Sequence, residues 1–112
     1  MVDMNVIYYK TSSGKEPVRE YIDSLPVADQ AIILADIKLI NVYGIFEAPI
    51  ITRKLQEKLW EIKTGTRHQQ RIFYCVMTEH GIIFLHACKK QKQGAQRGDV
   101  DLAFKRMREV LS

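Results

Sequence analysis

Two cysteines, Cys75 and Cys88, are all that this 112-residue chain contains. They are too few and too widely spaced for a disulfide framework or a four-ligand zinc site, so both are expected on strands as reduced, buried small residues. Long apolar runs are also missing, and none approaches the length that spans a bilayer. Met1-Val2-Asp3-Met4-Asn5 has no basic stretch leading into an apolar core, which makes a cytoplasmic protein with no membrane partner the expectation. Low-complexity tracts and internal repeats are absent. A chain this short has room for one domain, expected over residues 1–112.

What is there is an ordinary globular composition, 46% hydrophobic and 27% charged, with an uneven distribution of charge. Residues 1–50 hold 4 Lys and Arg against 7 Asp and Glu, whereas residues 51–112 hold 13 against 6. The first part is therefore acidic and the second strongly basic. A basic surface of that kind serves nucleic acid or an acidic protein.

Val6-Ile7-Tyr8-Tyr9 is β-branched and aromatic and runs into Lys10-Thr11-Ser12-Ser13-Gly14, the pattern of a strand and a turn. Pro17 suits the first turn of a helix over residues 16–24, with Val18, Tyr21, Ile22 and Leu25 on one stripe. From Pro26, the residues Ala28, Ala31, Ile32, Ala35, Leu39 and Val42 recur at helical spacing until Gly44 offers a C-cap. Ile33, Leu34, Ile37 and Ile40 widen this stripe, so the second helix is expected to be buried over much of its circumference.

A loop over residues 45–52 then leads to a strand over 59–63, a polar connection from Thr64 to His68, a strand over 70–77, a turn at Glu79-His80-Gly81 and a strand over 82–88. After a polar loop over 89–98, Asp99 can cap a last helix carrying Val100, Ala103, Met107 and Val110. The order β-α-α-β-β-β-α belongs to an α+β domain, expected as an antiparallel sheet with its helices on one side.

Within this order, Leu59-Trp60-Glu61-Ile62 before a hairpin, Arg71-Ile72-Phe73-Tyr74, and Leu85-His86 followed by Lys89-Lys90 resemble the RelE/ParE superfamily of type II toxin–antitoxin toxins, nearest its HigB-type, phage-derived branch. The resemblance implies a RelE-like fold, a helix-turn-helix antitoxin as partner, and metal-independent cleavage of mRNA on the ribosome. It places the strand arginine on Arg71, the acidic residue of the preceding strand on Glu61, and the lysine pair on Lys89 and Lys90. Where the family continues with a Thr-Gln-Lys-Thr-Pro-like run, this chain has Gln91-Lys92-Gln93-Gly94-Ala95.

The chemistry of such a cleavage asks for residues the chain holds. A ribose 2′-OH must lose its proton, the phosphorane's extra charge must be offset, and the 5′-oxygen must leave protonated. Arg71 and Arg67 can grip a phosphate bidentately, Lys89, Lys90 and Lys92 add point charge, and Glu61, His86 or His68 can move protons. Lys63, Arg67, His68 and Lys92 are the expected RNA contacts, with Arg71, Lys89, Lys90, Glu61 and His86 nearest the chemistry.

Each has a plainer role beside it. Arg71 and Glu61 can simply pair, and His86, on one strand face with Phe84 and Cys88, can be a hydrogen-bonded core histidine. Trp60 and Tyr74 suit base stacking or the core. No metal or cofactor is expected, since joining Cys75, His86 and Cys88 needs a cross-strand accident. Two other functions fit the same residues: a ParE-like protein that inhibits DNA gyrase by binding it, and a non-catalytic nucleic-acid-binding domain.

Overall fold

The computed structural model describes residues 3–91 and 97–112. Its elements are β1 (Asn5–Tyr8), α1 (Pro17–Asp23), α2 (Val27–Tyr43), β2 (Ile51–Gln56), β3 (Leu59–Thr64), a single 3-10 turn (Thr66–His68), β4 (Gln70–Thr78), β5 (Gly81–Lys89) and α3 (Arg97–Leu111). The five strands form one sheet in the order β1-β5-β4-β3-β2. Pro17 opens α1 as expected, and Gly44 ends α2 with a φ of 82° that a side chain would resist.

Three expectations about the sheet are corrected. The described residues form five strands rather than four, because residues 51–56, at the end of the expected loop over 45–52 and in its lead-in to β3, pair with β3 as a strand of their own. Arg53 and Lys54 hide this strand in the sequence, yet charge is what an edge strand carries to discourage further pairing. The sheet is mixed rather than antiparallel, since β1 runs parallel to β5 with Asn5 opposite Gly81. The helices also lie on both faces.

That last correction explains the long apolar runs of β4 and β5. A strand covered on both faces loses the alternation that a half-solvated strand shows. On one face Ile62, Ile72, Tyr74 and Phe84 pack with Val18 and Ile22 of α1 and Ile33 and Ile40 of α2. On the other, Leu59, Phe73, Cys75 and Leu85 pack with Ala103 and Met107 of α3. Phe73 and Phe84 are fully buried on opposite faces, each contributing about 1.5–3 kcal/mol by leaving water. Tyr74 belongs to this core and Trp60 packs half-buried against it, the two rings stacked with centroids 6.4 Å apart.

The second helix is less covered than its stripe suggests. Only Ile33 and Ile40 of α2 are buried, while Val27, Ile32, Leu34 and Tyr43 stay exposed, as does Phe46 just beyond. Asp99 does not cap α3 from outside, because the helix already includes Arg97 and Asp99 lies in its first turn. There its negative charge still complements the helix dipole.

Candidate functional site

Residues directly opposite one another on paired strands share a face. The register therefore sets Glu61, Phe73 and His86 in one row facing α3, and Lys63, Arg71 and Cys88 in the next. Four of the residues singled out in the sequence thus come together on that face. The adjoining row of Thr64, Gln70 and Lys89 faces the other way, toward α1 and α2. A groove of about 290 Å³ opens there, lined by Asp29, Thr66, Arg67, Gln69, Gln70 and Lys89. The predicted site is split by the end of the sheet, with the groove cations on one side and His86 on the other. Lys90 and His68 are exposed at that end, and Lys92 lies outside the described residues.

The β3–β4 connection is strained and firmly held. Arg67 (φ 56°) and His68 (φ 55°) both have left-handed backbones, a conformation that costs about 1–3 kcal/mol at a non-glycine residue. Gly65 precedes them at φ 78°, where a Cβ would sit 2.6 Å from the Gln70 Cγ. Three contacts offset the strain: Thr66 N donates to Asp29 Oδ1 (2.8 Å), Lys90 N donates to Gln69 O (2.7 Å), and Arg71 Nη1 donates to His68 O (2.6 Å). Tyr21 adds a fourth tie from α1, its hydroxyl donating to Gln70 Oε1 at 2.5 Å. The Arg67 and His68 side chains are held outward by a loop with little freedom.

Arg71 is 6% exposed, and Nη1 also donates to Gln70 O (3.1 Å). Its Nε stands 3.9 Å from Glu61 Oε1. Glu61 is buried, with Oε1 3.0 Å from Arg53 Nη2, an ion contact whose angle does not make a hydrogen bond. The plainer roles hold for both residues: Arg71 braces the loop and Glu61 is the carboxylate between two arginines. Neither offers an open face to a substrate.

His86 is not an inert core histidine. Its Nε2 lies 2.7 Å from Asp99 Oδ1, and its ring stacks on Phe73 with the planes 9° apart. Its side chain is 17% exposed, and that of Asp99 28%. The Cys88 thiol stands within 4.8 Å of the same carboxylate. Such an arrangement fixes a ring nitrogen, supplies a carboxylate to balance imidazolium charge, and leaves Nδ1 to take a proton.

A family model described as phage-derived protein Gp49-like (DUF891) matches residues 20–108. The chain belongs to that family. The Gp49-like family falls in the RelE/toxin-like superfamily and is consistent with a toxin of a toxin–antitoxin system. No curated protein matches the chain. The matched span holds every candidate site residue of this Gp49-like chain and leaves out β1, residues 17–19 of α1 and residues 109–111 of α3.

Sequence reasoning missed Arg53, which falls between the expected loop over 45–52 and the expected strand over 59–63, and Asp99, taken only as a helix cap. The spacing of His86 and Cys88 on alternate positions signalled a shared face. Nothing local signalled that α3 would bring Asp99 to it. His86 and Cys88 do meet a third metal-ligating side chain, which is Asp99 and not Cys75.

Burial governs the other titratable groups of the Gp49-like core. It pushes the Cys75 thiol up to about 11, the Tyr74 phenol up to about 12 and, together with Asp99, the Cys88 thiol up to about 12. Above pH 9 an unfolded chain releases thiol protons that the folded chain keeps, so stability falls as pH rises from about 9 toward 12. Each group contributes up to about 1.4 kcal/mol per pH unit. Urea unfolding of the reduced protein is expected to show a midpoint that declines above pH 9; a flat midpoint would mean these side chains are solvated.

Proposed function

We propose that this protein is the toxin of a type II toxin–antitoxin system, an endoribonuclease that cuts mRNA on the translating ribosome with its own side chains. What carries the proposal is the His86–Asp99 hydrogen bond at a sheet end that also bears Lys63, Arg67, His68, Lys89 and Lys90. A proton-transfer pair beside clustered cations is what RNA transesterification requires.

In this scheme the RNA backbone crosses the end of the sheet. Arg67 and Lys89 take one phosphate in the groove, and Lys90 neutralises charge at the crossing. His86, oriented by Asp99, accepts the 2′-OH proton at Nδ1. The 2′-oxygen attacks phosphorus and the 5′-oxygen departs with a proton from His68. Lys63 adds positive charge on the His86 side, and Arg71 acts as a positioning residue that holds the loop.

Primer extension on a message translated in a cell-free extract tests the reaction. Wild-type protein is expected to produce cuts that vanish when translation is blocked. Intact message together with stalled supercoiling by gyrase would transfer the function to a gyrase inhibitor, and neither effect would leave a passive nucleic-acid binder.

The antitoxin's place is supported by α2. α2 is apolar over much of its circumference, yet it leaves Val27, Ala31, Leu34 and Ala35 exposed to solvent. We assign this face to a helix-turn-helix antitoxin encoded beside the toxin. Co-expression of the two proteins is expected to give a stable complex that Leu34→Glu disrupts, with the toxin still folded. A complex indifferent to Leu34→Glu would place the antitoxin elsewhere.

A further inference from the structure

We infer that His86, Cys88 and Asp99 form a binding site for one Zn2+ ion, seated between the end of β5 and the first turn of α3. The inference does not rest on the nuclease reading, because it concerns binding alone.

His86 and Cys88 are alternate residues of one strand, so imidazole and thiol stand side by side on the α3 face. The first turn of α3 brings the Asp99 carboxylate between them. One donor atom from each residue lies within 4.8 Å of the others. A four-coordinate zinc ion with Zn–N near 2.0 Å and Zn–S near 2.3 Å holds its ligand atoms roughly 3.3–3.6 Å apart. The 2.7 Å between His86 Nε2 and Asp99 Oδ1 therefore has to open by less than about 1 Å for an ion to replace the shared proton.

Nitrogen, sulfur and oxygen together suit zinc, whereas magnesium and calcium take oxygen donors. A thiolate and a carboxylate balance the two charges of the ion. The Arg71 guanidinium, across the strand pair from Cys88, opposes a cation, but buried Glu61 stands between it and Arg53 and offsets its charge. Phe73 stacks on the imidazole and limits its rotation. The partial exposure of His86 and Asp99 gives an entry path and leaves a fourth position for water.

Cobalt(II) reports on such a site without any RNA. Metal-free, untagged, reduced full-length protein is expected to bind one equivalent of Co2+, with a thiolate-to-cobalt charge-transfer band and tetrahedral visible bands, and Zn2+ should displace it. Cys75→Ala should keep the charge-transfer band and Cys88→Ala should lose it. Asp99→Asn should weaken binding by more than the roughly 10–100-fold that an outer-shell change costs. The site does not exist if no band forms with excess Co2+, if the band survives Cys88→Ala, or if Asp99→Asn leaves the affinity unchanged. Should Cys88→Ala fail to fold, the Asp99→Asn affinity decides, since that side chain is partly exposed and the change keeps its shape.

Discussion

Replacing His86 by glutamine is expected to reduce message cleavage by about 10²–10⁴-fold, the usual contribution of a positioned proton-transfer group, while the chain remains folded. Glutamine fills part of the space against Phe73 and can still hydrogen-bond to Asp99, but it cannot hold a proton in transit. Asp99→Asn should lower cleavage less, because the imidazole remains and only its tautomer and charge balance are disturbed. Both variants are to be compared with wild type in the same extract, with a zinc-selective chelator present so that no ion occupies the three side chains. Melting curves must accompany the rates. Undiminished cleavage by a folded His86→Gln protein would remove His86 from the chemistry, and the cobalt titration would be unaffected by that result.

Arg71→Ala is expected to cost about 3–5 kcal/mol of stability, the range seen when one partner of a buried ion pair is removed. For a domain of this size that lowers the melting temperature by more than about 10 °C. Two effects add. The carboxylate of Glu61 keeps only Arg53, and the carbonyls of His68 and Gln70 lose the donor that holds the strained loop. Adding Glu61→Gln should recover part of the loss, because the stranded charge is then gone, and a double-mutant cycle in urea measures that coupling. A loss below about 1 kcal/mol for Arg71→Ala would mean the guanidinium is not a brace. Inactivity of an Arg71→Ala protein therefore reports first on its fold, and His86 is the better probe of chemistry.

The strands and helices with strong periodicity were legible in the sequence: α1, the bounds of α2, and β3 through β5 fall within a residue or two of where their patterns place them. The faces were not. Ile82 to Leu85 and Ile72 to Cys75 read as uninterrupted apolar runs, which record burial on both sides and name neither neighbour. Charge on Arg53 and Lys54 concealed β2, since an edge strand needs little apolar surface. In the candidate site, Arg71, Glu61 and His86 were visible as residue types suited to the chemistry. What each does depends on partners far away in the chain, such as Asp99 for His86 and Arg53 for Glu61, and no local pattern encodes that.

The parallel pairing of β1 with β5 bears on how the protein folds. Asn5 stands opposite Gly81, so docking β1 closes a loop that contains α1, α2 and β2 through β4. Contacts so distant in the chain form late and slowly. The β3–β4–β5 meander needs only strands adjacent in the chain, whereas β1 needs that whole loop closed. Without β1 the sheet would end on β5, and the long apolar run of that strand would become an open edge prone to pairing with another chain.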